Sequence, residues 1–123
     1  MKGFGFVPAV EAYVDKETKK YFLRLALPGI EPNEIEIHTK GNILMIKGER
    51  KLTHKEKELD YFHEEFVYGK FERTFELPEG VLPEKLVAEF RNGVLEITAP
   101  VTVAALPRKI EIKTVPLIKH VAA

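Results

Sequence analysis

The sequence predicts an all-β sandwich of about eight short strands. Three observations carry that expectation. Apolar and polar residues alternate at a period of two in one segment after another. Turn residues interrupt the alternation roughly every 8–12 residues. Two dipeptides, Gly41-Asn42 and Asn92-Gly93, separate alternating segments in the manner of tight hairpin loops.

Taken in order, residues 1–8 carry Phe4 and Phe6 beside two glycines and read either as a frayed tail or as the stub of an aromatic arm. Val10, Ala12 and Val14 alternate with Glu11, Tyr13 and Asp15 as a half-buried strand does. After the polar turn Lys16-Glu17-Thr18-Lys19, the row Tyr21, Leu23, Leu25, Leu27 forms a second strand, ended by Pro28-Gly29. Ile35, Ile37 and Thr39 form the next row. Folding at Gly41-Asn42 sets Thr39 against Leu44, Ile37 against Ile46 and Ile35 against Gly48. From Glu49 to Glu65 charge dominates. Leu52, Leu59, Phe62 and Phe66 there fit a helical stripe, but no good N-cap precedes them, and a solvated loop is the other reading. Phe66, Tyr68, Phe71, Phe75 and Leu77 lie in a long strand with Gly69 as its bulge. Arg73 falls on the apolar row of that strand. It reads either as an edge residue snorkelling to water or as a charge at a subunit interface.

The last hairpin is the best specified. Folding at Asn92-Gly93 opposes Arg91 with Val94, Phe90 with Leu95, Ala88 with Ile97 and Leu86 with Ala99. One face then has no polar member, and a one-residue slip would mismatch both faces. After Pro100, residues 101–107 are small and apolar and read as a hinge. Ile110 and Ile112 follow on one side of an extended segment, with Val115-Pro116-Leu117 as a weaker copy.

Composition bounds the function. The 123 residues suit one domain, and 45% hydrophobic content is enough for a core. Lys+Arg and Asp+Glu both number 19, so no overall charge draws the chain to nucleic acid or an anionic membrane, and neither partner is expected. There is no Cys and no Ser, which removes disulfides, thiolate sites and the usual nucleophiles. His38, His54, His63 and His120 share no metal-ligand spacing, and no phosphate loop is present. No cofactor, no metal and no catalytic set is expected. The N-terminus does not read as a signal peptide and no apolar run is long enough to span a membrane, so a cytoplasmic location is expected.

The segment Ala88-x-x-x-Asn92-Gly93-Val94-Leu95, followed by a short apolar strand and Pro100, resembles the signature near the end of the α-crystallin domain of small heat shock proteins. Leu25-Ala26-Leu27-Pro28-Gly29, Ile46-Lys47-Gly48-Glu49-Arg50, Tyr68-Gly69-Lys70-Phe71, Phe75-Glu76-Leu77-Pro78 and Ile110-Glu111-Ile112 fall in that family's order, over roughly residues 8–112. One departure is His63-Glu64-Glu65-Phe66-Val67, where the family usually places arginines around a glutamate.

The resemblance implies an immunoglobulin-like sandwich at residues 9–100. It also implies a short, shortened N-terminal arm at 1–8 and a C-terminal extension at 101–123. It implies that a strand within the loop, near Leu59 to His63, is exchanged in a homodimer, with Leu59, Tyr61, Phe62, Arg73, Val10 and Ala12 at the contact. Ile110 and Ile112 would dock on a neighbouring subunit between the strands holding Ile35, Ile37 and Leu86, Ala88, Phe90. Such docking suits an extended peptide with alternate apolar residues, although residues 108–112 could instead form a last strand of their own domain. The function so implied is an ATP-independent holdase chaperone for unfolding proteins, built as a homo-oligomer. The alternative is a monomeric binding module of the CS/p23 type.

Overall fold

The computed structural model describes residues 6–52, 59–102 and 109–116. Among these it holds seven strands: β1 (Val10–Asp15), β2 (Lys20–Ala26), β3 (Ile35–Lys40), β4 (Ile43–Arg50), β5 (Gly69–Glu76), β6 (Val87–Arg91) and β7 (Val94–Pro100). They form two antiparallel sheets, one ordered β1-β2-β7-β6 and the other β3-β4-β5. Single 3-10 turns, Pro32–Glu34 and Pro83–Lys85, lead into β3 and β6, each opened by its proline.

Register follows from the period-two pattern. In the larger sheet, the rows Val10-Leu25-Leu95-Phe90 and Ala12-Leu23-Ile97-Ala88 cross all four strands, and Val14-Tyr21-Ala99 crosses three. In the smaller sheet, Ile35-Gly48-Phe71, Ile37-Ile46-Arg73 and Thr39-Leu44-Phe75 do the same. These two apolar faces meet. Leu23, Leu25, Leu27, Leu44, Ile46, Phe71 and Ile97 at their junction are almost wholly buried, and among the described residues the core's one polar side-chain atom is the Tyr21 hydroxyl. Such burial stabilises by about 1.5–3 kcal/mol per large side chain.

The turns obey their local chemistry. Asn92 and Gly93 adopt φ of 54° and 75°, the left-handed pair that a type I′ loop requires. In the β1–β2 turn, Asp15 Oδ1 accepts the Glu17 and Thr18 amides at 2.9 and 3.4 Å. These bonds, that of Glu17 foremost, hold the Asp15 carboxyl below its usual value. The turn is therefore tightest with the carboxylate ionised, and it loosens as pH falls through that lowered value.

Both hairpin registers expected at Gly41-Asn42 and Asn92-Gly93 are found, except that β6 starts at Val87, after Leu86. Three expectations need correction. The strand expected from Phe66 begins only at Gly69, where φ of 133° turns the incoming chain; Phe66 and Tyr68 precede it. Phe6 to Pro8 are not frayed, because Pro8 is buried and the Phe6 ring meets Phe71 edge-on at 5.9 Å. Of the two readings for residues 59–66, the loop holds: no helix forms there, and Leu59, Phe62 and Phe66 are exposed. Residue 53–58 of that stripe lies outside the described residues, as do 103–107 of the expected hinge, and Leu117, His54 and His120. The core also runs past Pro100: Val101 is buried and bridges Val81.

Gly48 shows how tightly the smaller sheet is packed. A Cβ there would lie 2.5 Å from the Glu34 carbonyl oxygen and 2.8 Å from the Phe71 ring. Gly48→Ala should cost about 1–3 kcal/mol through overpacking. Gly41→Ala, which meets no atom within 4 Å, should cost less, through its φ of 60° alone. Urea midpoints at one fixed protein concentration check the order of the two.

Candidate assembly surfaces

A sandwich of this size ends in four edge strands: β1 and β6 on one sheet, β3 and β5 on the other. Each presents unpaired backbone groups. Their spatial arrangement follows from one bond. Arg73 Nη1 on β5 donates to the carbonyl of Pro8, just before β1, at 2.8 Å. Thus β5 and β1 share one border of the sandwich. The two strand orders then set β3 and β6 along the opposite border.

That opposite border is apolar and incompletely covered. On β3, Ile35 and Ile37 are half-buried; Leu86 and Phe90, at and beside β6, are half-buried too, and Ala88 is exposed. All but Ala88 pack against the core from its rim. The rows that are fully buried in the middle strands thus remain partly open at these edges. The reason is simple: an edge strand has a neighbour on one side only.

The border shared by β1 and β5 is closed differently. Phe6 packs edge-on against Phe71, Pro8 is buried, and Arg73 lies with its guanidinium 5.4 Å from the Phe75 ring while bonding the Pro8 carbonyl. Of the two readings of Arg73, neither foresaw this carbonyl within the same chain. Val10 is half-buried on edge strand β1, and Ala12 is exposed there.

The remaining expected residues point outward. Phe62 is fully exposed, with Leu59 at 46% and Tyr61 at 40%. Ile110 and Ile112, at 79% and 91%, do not form a strand of their own domain. Ile35 and Ile37 thus lie on edge strand β3, Ala88 and Phe90 on edge strand β6 with Leu86 just before it, and the loop and tail residues are exposed. Of the signature, Asn92 and Gly93 make the turn, Leu95 is buried, and Val94 is half-buried. The Leu27 amide donates to the Gly93 carbonyl at 2.6 Å, which locks that turn to β2.

The outer faces are charged and make no convergent site. Across the larger sheet, Glu11, Arg24, Glu96 and Glu89 stand in one row. Arg24 Nη1 contacts Glu11 at 2.9 Å and its Nε faces Glu96 at 3.3 Å; Glu11 above all holds the guanidinium protonated. On the smaller sheet Glu36 is held below its usual value by His38 first and Lys47 second. The hollow of about 410 Å³ there is lined by the Glu36–Lys47 pair and by Lys70 and Glu72, with Phe71 at its side. Among the described residues, no three His, Cys, Asp or Glu are grouped to hold a metal, and no helix is long and apolar enough to cross a membrane.

One residue escaped the sequence reading. Arg50, the last residue of β4, shares the inner parity of Leu44, Ile46 and Gly48. The signal for it in the sequence is a cation on an inward row, set within the charged run Glu49-Arg50-Lys51.

Comparison with known proteins agrees with this architecture. Residues 13–113 match the model of the Hsp20/alpha crystallin family. The chain is 39% identical over 93 residues to small heat shock protein C2 of Rickettsia felis, covering 76% of this chain and 60% of that protein. It is 34% identical over 107 residues to spore protein SP21 of Stigmatella aurantiaca, covering 87% and 62%. The chain thus spans about three fifths of the length of these relatives. Among solved structures, it resembles a small heat-shock protein from Xylella fastidiosa with a TM-score of 0.73 at 33% identity, over 90% of this chain and 100% of that one. It resembles hspA from Xanthomonas axonopodis with a TM-score of 0.68 at 38% identity, over 78% and 94%. With its signature on the β6–β7 turn and its core in two short antiparallel sheets, the chain belongs to the Hsp20/alpha crystallin family.

Proposed function

We propose that the chain is an ATP-independent holdase chaperone that works as a homo-oligomer and needs no catalytic group. One observation carries the reading: the exposed Ile110-x-Ile112 segment and the uncovered rim of Ile35, Ile37, Leu86, Ala88 and Phe90 occur on the same molecule and do not meet within it. Each has what the other lacks. The rim has free strand edges and apolar side chains; the tail has an extended backbone with alternate isoleucines. The family membership supports the chaperone role, and the Xylella fastidiosa relative is described as having a distinct high order structure.

Dimers form by exchange of the strand within residues 55–65, with Leu59, Tyr61 and Phe62 meeting a partner's edge at Val10 and Ala12 near Arg73. The tail of one dimer then docks on the rim of another. Burying both isoleucines contributes roughly 3–6 kcal/mol gross. Ordering costs offset much of this. A single contact is thus reversible, and many in one assembly are firm through avidity. Reversibility suits a holdase, because apolar rims released from tails are free for unfolding proteins. Binding the unfolded state of a client lowers its free concentration, and hence its aggregation, without nucleotide hydrolysis. A cytoplasmic site goes with this reading. A monomeric CS/p23-type module would leave loop, tail and rim without occupants.

Three outcomes are expected. The full chain should suppress aggregation of a heat-stressed model client without ATP, read by light scattering; aggregation unchanged at equimolar chain rejects the holdase. Ile110→Ala with Ile112→Ala should leave folded dimers in place of larger assemblies, read as mass by light scattering beside an unchanged circular dichroism spectrum. Removal of residues 55–65 should yield monomers, and dimers that persist by the same mass measurement reject strand exchange.

A further inference from the structure

We infer that Arg50 is a junction that couples the N-terminal segment to the long loop, so that the Phe6 ring controls how firmly the loop's return is held. Three stretches far apart in sequence converge on its guanidinium. Nε donates to the Val67 carbonyl at 2.7 Å, and Nη2 donates to the same oxygen. Nη1 donates to the Pro28 carbonyl at 3.2 Å. The guanidinium carbon stands 4.1 Å from the Phe6 ring centre, 5.8 Å from that of Tyr68 and 6.0 Å from that of Phe66. Phe6 is itself seated on Phe71.

The position matters because of where the loop begins and ends. Arg50 pairs with Gly69 in the last rung between β4 and β5. The chain leaves the sandwich at one and returns at the other, and the Val67 carbonyl is clamped just before the return. An arginine can do this where a lysine cannot. Its planar fork holds two carbonyls at once and leaves a face free to take an aromatic ring. The Phe6 ring over that face keeps water from the guanidinium and strengthens the bonds it makes at its edge. Removing the ring admits water to compete for the Val67 and Pro28 carbonyls, and the loop's return is loosened from a distance. The N-terminal segment thereby sets the rigidity of the loop that carries Leu59, Tyr61 and Phe62. Its consequence for assembly rests on the reading of that loop as the exchanged segment; the coupling itself does not.

Hydrogen exchange on the full chain tests it. The amides of residues 67–70 report on the loop's return, and those of residues 44–46, in the centre of β4, serve as an internal reference. Phe6→Leu keeps an apolar side chain on Phe71 but removes the aromatic face; Arg50→Lys keeps the charge but removes the fork. Each should speed exchange at residues 67–70 by about fivefold, with the reference unchanged. The double variant should exchange no faster than Arg50→Lys alone, because Phe6 acts only through the guanidinium. Overturning results are accelerations that multiply in the double variant, a Phe6→Leu variant that exchanges as the parent does, or equal acceleration at residues 44–46. The mass of the same samples, read separately, shows whether the assembly reading fails on its own.

Discussion

Everything in this molecule depends on a mismatch between its core and its borders. The inward rows reach the edge strands, ending at Ile35 and Ile37 on β3 and at Ala88 and Phe90 on β6. The facing sheet covers only the middle of each row. Leu23, Leu25, Leu44 and Ile46 are sealed, while Ile35, Ile37, Leu86 and Phe90 are half open. A two-sheet fold with so few strands has proportionately long borders, and small domains bury a small share of their surface in any case. The outer borders must be met by something besides the sheets themselves.

The two borders are met in different ways. At one, the chain supplies part of its own cover: Phe6 packs on Phe71 beneath Arg50, and the Pro8 carbonyl accepts from Arg73. At the other, nothing among the described residues covers the β3 and β6 edges in the same manner. The two borders therefore differ in how much of their apolar surface the same chain covers, while β1, β3, β5 and β6 all keep a free strand edge.

The charged outer faces play a lesser part. The Glu11-Arg24-Glu96-Glu89 row places Glu96 directly opposite Glu89, which is unfavourable, and a single Arg24 offsets it. Exposed pairs of this kind contribute little to stability. They share those faces with apolar side chains, among them Tyr13 stacked on Phe22 and the exposed Val87 and Ile43.

Much of this was legible in the order of residues. Period-two alternation specified which side chains face inward, and Asn92-Gly93 and Gly41-Asn42 specified two registers, because both are local and a slip of one residue would expose every apolar side chain. The exposure of Ile110 and Ile112 followed from the same alternation in a segment too short to bury anything itself. What only the tertiary structure decided is which edges lie together. That β5 borders β1, that Arg73 meets Pro8, and that Arg50 gathers Phe6, Pro28 and Val67 are contacts between residues distant in the chain. Local propensity and spacing carry no information about such pairings, since they are set by how two finished sheets stack and by which loose segment fills the border that remains.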